Sequence, residues 1–162
     1  MNVLITGANG FIGQAVCQRI RSYYPIFTTI YAVYRTSEKI PPALLFQVSP
    51  VIASSLTDLA RNVELLSKVD CIIHLAARVH QMNDQSADPL SEFRSINTTA
   101  TVNLAQAAAE KGVRRFLYLS SIKVNGEETP RISPYCESDV VSPRDPYGIS
   151  KWEAEQQLRV LS

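Results

Sequence analysis

The sequence predicts an α/β fold, a doubly wound parallel sheet with helices on both faces in a three-layer α/β/α arrangement. Three observations predict it. Short apolar runs recur at residues 3–5, 28–34, 71–77 and 115–120. Between them lie segments whose apolar residues recur at helical spacing. The first run opens through Gly7, Gly10 and Gly13 directly into such a segment. Near-continuous apolar runs suit strands buried on both faces. Strands that alternate with helices suit parallel pairing and right-handed crossovers.

The elements follow in order. Val3, Leu4 and Ile5 form the first strand, and Phe11, Ile12, Ala15, Val16 and Ile20 the apolar stripe of the first helix. Tyr23-Tyr24-Pro25 closes that crossover. Residues 28–34, β-branched and aromatic, make the second strand. Pro41-Pro42 breaks the chain, and residues 44–48 are expected as a short third strand. Leu56, Leu59, Val63 and Leu66 share one helical side, with Ser55 or Thr57 as the cap. Residues 71–77 form the next strand. Residues 78–88 read as a loop, and 89–111 as one long helix stopped by Gly112. Residues 115–120 give a further strand, and Pro146 opens the last helix.

The 162 residues suffice for one domain with a substantial core. A hydrophobic share of 46% against 19% charged residues marks a globular chain. With a net charge of +1 and no basic stripe, neither nucleic acid nor an anionic membrane is an expected partner. No run reaches the ~18 apolar residues of a membrane span, and the first apolar run breaks at Thr6-Gly7 without a basic leader. Cys17, Cys71 and Cys136 have no metal spacing; Cys17 and Cys71 are expected to pack as small hydrophobes. A reducing cytoplasm is the expected location.

Strand, glycine turn and helix in succession form the context of dinucleotide binding. Gly7 can adopt backbone angles that a side chain forbids. Gly10 lets the main chain approach a pyrophosphate, and Gly13 lets helix and strand pack closely. The N–H groups around Asn9, Gly10, Phe11, Ile12 and Gly13 would face the phosphate charge. After the second strand, Tyr34-Arg35 offers Arg35 where an acidic residue would bind ribose hydroxyls; Arg35 leans towards NADP without excluding NAD. Leu75, Ala76 and Ala77 end the fourth run, where small residues suit backbone passing close to a cofactor. His74 in that strand reads as a hydrogen-bonded structural residue.

Two phrases carry the chemistry. Ser120-Ser121 follows a strand, and Tyr147-Gly148-Ile149-Ser150-Lys151 begins a helix, so Tyr147 and Lys151 lie one turn apart on one face. Tyrosine, with an ordinary pKa of about 10, is a weak base near neutrality. An adjacent ammonium favours the phenolate and can lower such a pKa by roughly 1–3 units. Tyr147 then serves as acid/base in alcohol–carbonyl interconversion. Ser121 can hydrogen-bond the substrate oxygen, and Lys151 can reach a nicotinamide ribose.

The spacing Gly7-x-x-Gly10-x-x-Gly13, with Thr6 before it, Ser120-Ser121 and Tyr147-x-x-x-Lys151 together resemble the extended short-chain dehydrogenase/reductase superfamily. Within it, the chain is similar to the NAD-dependent epimerase/dehydratase family, nearest to bacterial UDP-sugar 4-epimerases. The resemblance implies a Rossmann-type NAD(P)-binding domain over residues 1–162, with Ser121, Tyr147 and Lys151 catalytic. It implies epimerisation through transient oxidation at C4 of a UDP-hexose or UDP-N-acetylhexosamine. An NADPH-dependent 4-keto-sugar reductase and a non-catalytic dinucleotide-binding module are the other readings. Asn97-Thr98-Thr99-Ala100-Thr101 resembles the family's Asn-x-x-Gly-Thr, which gives Asn97 a supporting role beside Ser120, Tyr147 and Lys151 around the cofactor. The sequence departs from the pattern at Ser54-Ser55-Leu56, where the family has Gly-Asp-aliphatic, and at Asn125, where it has Tyr. Family members are roughly twice as long, so the substrate-binding portion is expected to be missing and turnover to be low. An uncovered apolar face near the last strand and helix would permit a homodimer.

Overall fold

A computed structural model describes residues 1–26, 28–79, 87–129 and 133–162. The expected loop at 78–88 lies partly outside these residues. The chain divides into two compact units, residues 1–77 with 103–119 and residues 78–102 with 120–162.

The first unit contains a parallel sheet in the order β3-β2-β1-β4-β5. Its strands are β1 (Asn2–Thr6), β2 (Thr29–Tyr34), β3 (Ser49–Ile52), β4 (Cys71–His74) and β5 (Arg115–Tyr118). Alternation along these strands feeds two apolar cores. Val3, Ile5, Ile30, Ala32 and Tyr34 pack with Cys17 of α1 (Phe11–Tyr23) and with Leu44. Leu4, Val33 and Ile72 point the other way, to Leu59 of α2 (Leu56–Ala60), Leu65 and Leu66 of α3 (Val63–Leu66), and Leu104 and Ala108 of α5 (Ala100–Glu110). Two cores on opposite sheet faces are the three layers that the sequence predicts. Cys17 and Cys71 are buried within this packing, as expected.

Several expectations need correction. The third strand is Ser49–Ile52, not 44–48. The apolar residues Leu44 and Val48 instead plug the core from a 3₁₀ turn, Pro42–Leu44, and the loop after it. β3 is an edge strand, where Pro50 can be tolerated because no second neighbour needs its N–H. The helix expected at 56–66 is two helices. Asn62 accepts a hydrogen bond from Leu65 N at 3.1 Å and so starts α3 anew. Ser55 caps α2 by accepting from Asp58 N at 3.0 Å. On α1 the stripe is narrower than expected. Gly13 and Cys17 are buried, Val16 and Ile20 pack against the core, while Phe11 is 92% and Ile12 47% exposed.

The second unit contains α4 (Pro89–Phe93), a wide π turn at Arg94–Thr99, and α6 (Pro146–Leu161). The single long helix expected at 89–111 therefore exists as α4, the π turn and α5 in succession. Gly112 adopts φ +81° after it, a left-handed stop. In the first unit Leu117 and Leu119, within and just after the last strand, are exposed. Among the described residues no helix is long and apolar enough to cross a membrane.

Candidate active site

In a parallel sheet all strands end on one side, and ligands bind beyond those ends. In the first unit that side carries the Gly7–Gly13 turn after β1, Arg35 after β2, and Leu75, Ala76 and Ala77 after β4. The turn is shaped by steric necessity. Gly7 has φ +68°, and a Cβ there would lie 2.8 Å from Ala76 N. A Cβ on Gly13 would lie 2.2 Å from Gly7 O. By contrast, a Cβ on Gly10 would meet only Gly7 O, at 3.3 Å. Gly7 and Gly13 thus serve internal packing, while Gly10 is exposed and less tightly confined. Gly10 caps α1 in an extended conformation without a side-chain bond, and the first turn carries no acidic residue. The first turn itself thus places no carboxylate against its N–H groups, and the exposed Asn9, Phe11 and Ile12 flank them. Such a cradle fits a dinucleotide pyrophosphate.

Thr6 and His74 fasten β1 to the end of β4. Thr6 Oγ1 accepts from Leu75 N at 3.2 Å and Ala76 N at 3.1 Å. Its own proton then goes to His74 Nδ1, 2.8 Å away. His74 is fully buried and its ring stacks on Tyr118 with centroids 5.9 Å apart. His74 is thus structural, as the sequence reading held. Thr6 is a residue that reading assigned no task; its place at a strand end beside glycine is the only signal. Arg35 is exposed just past β2. Ser54 donates to the Asp58 carboxylate, and with Ser55 this holds that carboxyl below its ordinary pKa.

The second unit brings together Asn97, Ser120, Ser121, Tyr147 and Lys151. Asp145 caps α6 by accepting from Gly148 N at 2.5 Å, with Pro146 at the first position, so Tyr147 falls in the first turn. The Tyr147 ring stands edge-on to Phe93, centroids 6.1 Å apart. One turn on, Lys151 is only 2% exposed, and burial pushes its pKa down to about 8 against an opposing pull from Glu155. Ser120 donates to the Glu155 carboxylate, and Ser121, in an extended conformation, accepts from Lys123 N at 3.2 Å.

Asn97 is buried in the π turn. Its Oδ1 accepts from Arg78 N at 2.7 Å, and its Nδ2 donates to Arg78 O and to Ser150 Oγ, both at 3.0 Å. Ser150 Oγ in turn donates to Tyr147 O at 2.8 Å, and Thr98 Oγ1 donates to Ser150 O at 2.8 Å. A continuous set of bonds thus links Asn97 to the Tyr147 turn. Ser150, Thr98, Asp145 and Glu155 have no role in the sequence reading; the signals for two of them are the place of Ser150 inside Tyr-x-x-x-Lys and of Thr98 inside the Asn97–Thr101 motif. Among the described residues no cluster of His, Cys, Asp and Glu could hold a metal ion.

The chain is 39% identical over 163 residues to UDP-glucose 4-epimerase of Vibrio cholerae, an alignment covering 99% of this chain and 47% of that protein. Among solved structures it resembles UDP-N-acetylglucosamine 4-epimerase from Bacillus cereus, at TM-score 0.75 and 27% identity, covering 100% of this chain and 51% of that one. It also resembles MoeE5 in complex with UDP-glucose and NAD, at TM-score 0.78 and 28% identity, covering 97% and 48%. The chain spans about half the length of the relatives it matches. The model of the NAD dependent epimerase/dehydratase family matches residues 3–162. With the glycine cradle in one unit and the Ser121, Tyr147 and Lys151 set in the other, this chain belongs to the NAD-dependent epimerase/dehydratase family.

Proposed function

We propose that these residues are the NAD(P)-binding portion of a nucleotide-sugar 4-epimerase acting on a UDP-hexose or UDP-N-acetylhexosamine. The observation that carries this reading is a buried lysine one helical turn from Tyr147, in a chain of this family. The Gly10 cradle and the first turn of α1 hold the dinucleotide phosphates. Tyr147 takes the 4-hydroxyl proton onto its own oxygen and later returns it. The Ser121 hydroxyl hydrogen-bonds the substrate oxygen, and Lys151 supplies the positive charge that favours the phenolate. Ser120 and Asn97 support this turn through Glu155 and Ser150. When bound, the nicotinamide supplies reversible hydride transfer at C4. The three free thiols suit a reducing cytoplasm.

A second reading, an NADPH-dependent 4-keto-sugar reductase, is favoured by Arg35, which stands exposed where an acidic residue would select NAD. The test has two arms. Calorimetric titration with NAD(H) and NADP(H) measures cofactor choice on the chain itself. Incubating the full-length protein with UDP-galactose, then with a UDP-4-keto sugar and NADPH, separates epimerase from reductase. In the full-length protein Tyr147→Phe is expected to lower turnover by about 10²–10⁴-fold while leaving dinucleotide affinity within a few-fold. Unchanged turnover overturns the reading.

A further inference from the structure

Lys123 lies two residues beyond Ser121, and its charge has partners on two sides. Its ammonium is 3.3 Å from Asp145 Oδ2 and also bonds to the Glu127 carboxylate. Asp145 is the residue that caps α6, using its other oxygen, Oδ1, to accept from Gly148 N at 2.5 Å. One carboxylate therefore holds the helix start with one oxygen and the Lys123 ammonium with the other. Backbone packing closes the same gap. A Cβ on Gly148 would lie 2.7 Å from Lys123 O, so the 3₁₀ turn Ile122–Val124 sits directly against the first turn of α6. Beyond it, Ser142 N donates to Val124 O at 3.2 Å. The Ser121 hydroxyl accepts from the backbone N–H of Lys123 itself, at 3.2 Å.

We propose that Lys123 is a positioning residue, whose bridge to Asp145 fixes the turn bearing Ser121 against the turn bearing Tyr147. This rests on the proposed roles of Ser121 and Tyr147. The bridge is partly exposed, with the Lys123 side chain at 40% and Asp145 at 18%, so its contribution to overall stability is small. Its worth is geometric: catalysis is sensitive to displacements that folding barely registers.

Two substitutions probe the charge pair, and Asp145→Asn is the one that leaves the Lys123–Glu127 bond in place. Lys123→Met keeps the stem and removes the ammonium. Asp145→Asn keeps a capping oxygen for Gly148 N and removes the carboxylate. Amide exchange by NMR on this chain reads the turn directly. We expect exchange at Val124 and Asn125, bonded to Ser121 O and Ile122 O, to quicken about two- to fivefold in either variant. The double variant should be no faster than the singles. In the full-length protein each single variant should lower kcat on the order of tenfold with KM for the UDP-sugar unchanged, and Lys123→Arg should restore most of it. Unchanged exchange in Lys123→Met, or effects that multiply in the double variant, overturns the clamp. A fall in KM-dependent binding instead of kcat overturns the positioning role. Wild-type protein without turnover on any UDP-sugar would refute the proposed function, while the exchange measurement would still decide the clamp.

Discussion

The two units bury different kinds of side chain. In residues 1–77 with 103–119, the buried set is dominated by aliphatic residues such as Leu4, Ile5, Ile30, Leu59, Leu66 and Ile72. Its buried polar members are Thr6, Thr28 and His74, two of them bonded to each other. Among the described residues of 78–102 with 120–162, the buried apolar side chains are Phe93, Val124 and Ala154, against the polar Asn97, Thr98, Thr101, Ser150 and Lys151. Apolar packing is non-directional and specifies a scaffold. Buried hydrogen bonds are directional and specify orientations, at the risk of large penalties when one partner is lost. The first unit is thus held mainly by apolar packing, and the second leans more on directional bonds that fix side-chain orientation.

The largest effect should come from breaking the shape. Gly13→Ala places a methyl 2.2 Å from the carbonyl oxygen of Gly7, a backbone atom that cannot step aside. We expect a loss of about 3 kcal/mol in urea unfolding. Gly10→Ala is the milder case, since its methyl would lie 3.3 Å from that same carbonyl oxygen, a tight contact that a shift of a few tenths of an ångström relieves. It should cost under about 1 kcal/mol in stability yet weaken dinucleotide binding about tenfold by calorimetry, because the methyl intrudes on the cradle.

Next comes the directional network. Asn97→Ala removes the bond accepted from Arg78 N and the two donated to Arg78 O and Ser150 Oγ. The expected loss is about 2–3 kcal/mol in urea unfolding. A loss below about 1 kcal/mol would mean that water replaces the amide, and the contrast between the units would be weaker than described.

Lys151→Met sharpens the comparison by reversing its sign. The ordinary lysine pKa is 10.5, and burial brings Lys151 to about 8. Below pH 8 both folded and unfolded chains hold the proton, and the folded one carries a buried charge. Between about 8 and 10.5 the folded lysine is neutral while the unfolded one is still charged, so wild-type stability rises with pH across that window. The variant should therefore be more stable than wild type at pH 7, by about 2 kcal/mol, with the gap narrowing from pH 8 upward. Unfolding midpoints measured at pH 7 and pH 10 check this.

Much of this was legible in the residues, and the misses have physical causes. β1, the glycine turn and the start of α6 are readable because their steric demands are local: Gly7 needs positive φ, and Pro146 suits the first turn of a helix. The third strand was misplaced because an edge strand need not be apolar. Ser49 and Pro50 are exposed, while the more hydrophobic Leu44 and Val48 fill the core without being strand. The break at Arg61-Asn62 was hidden because the apolar period runs on through it from Leu56 to Leu66. A motif pointed to Asn97, but its partners did not follow from spacing, since Ser150 lies 53 residues away. No periodicity encodes a bond of that range. Lys123 and Asp145 escaped for the same reason: each looks like an ordinary surface charge until the fold pairs them.

The wide turn at Arg94–Thr99 has one further implication. A π turn holds one residue more than an α-helical path requires. Deleting a residue there would let the helix heal into regular α form with its flanks still in phase, but the residues inside the turn would change direction. Asn97 is one of them, and its amide would lose its aim at Arg78 and Ser150. The extra residue thus works locally, turning one side chain to a direction that a regular helix does not offer.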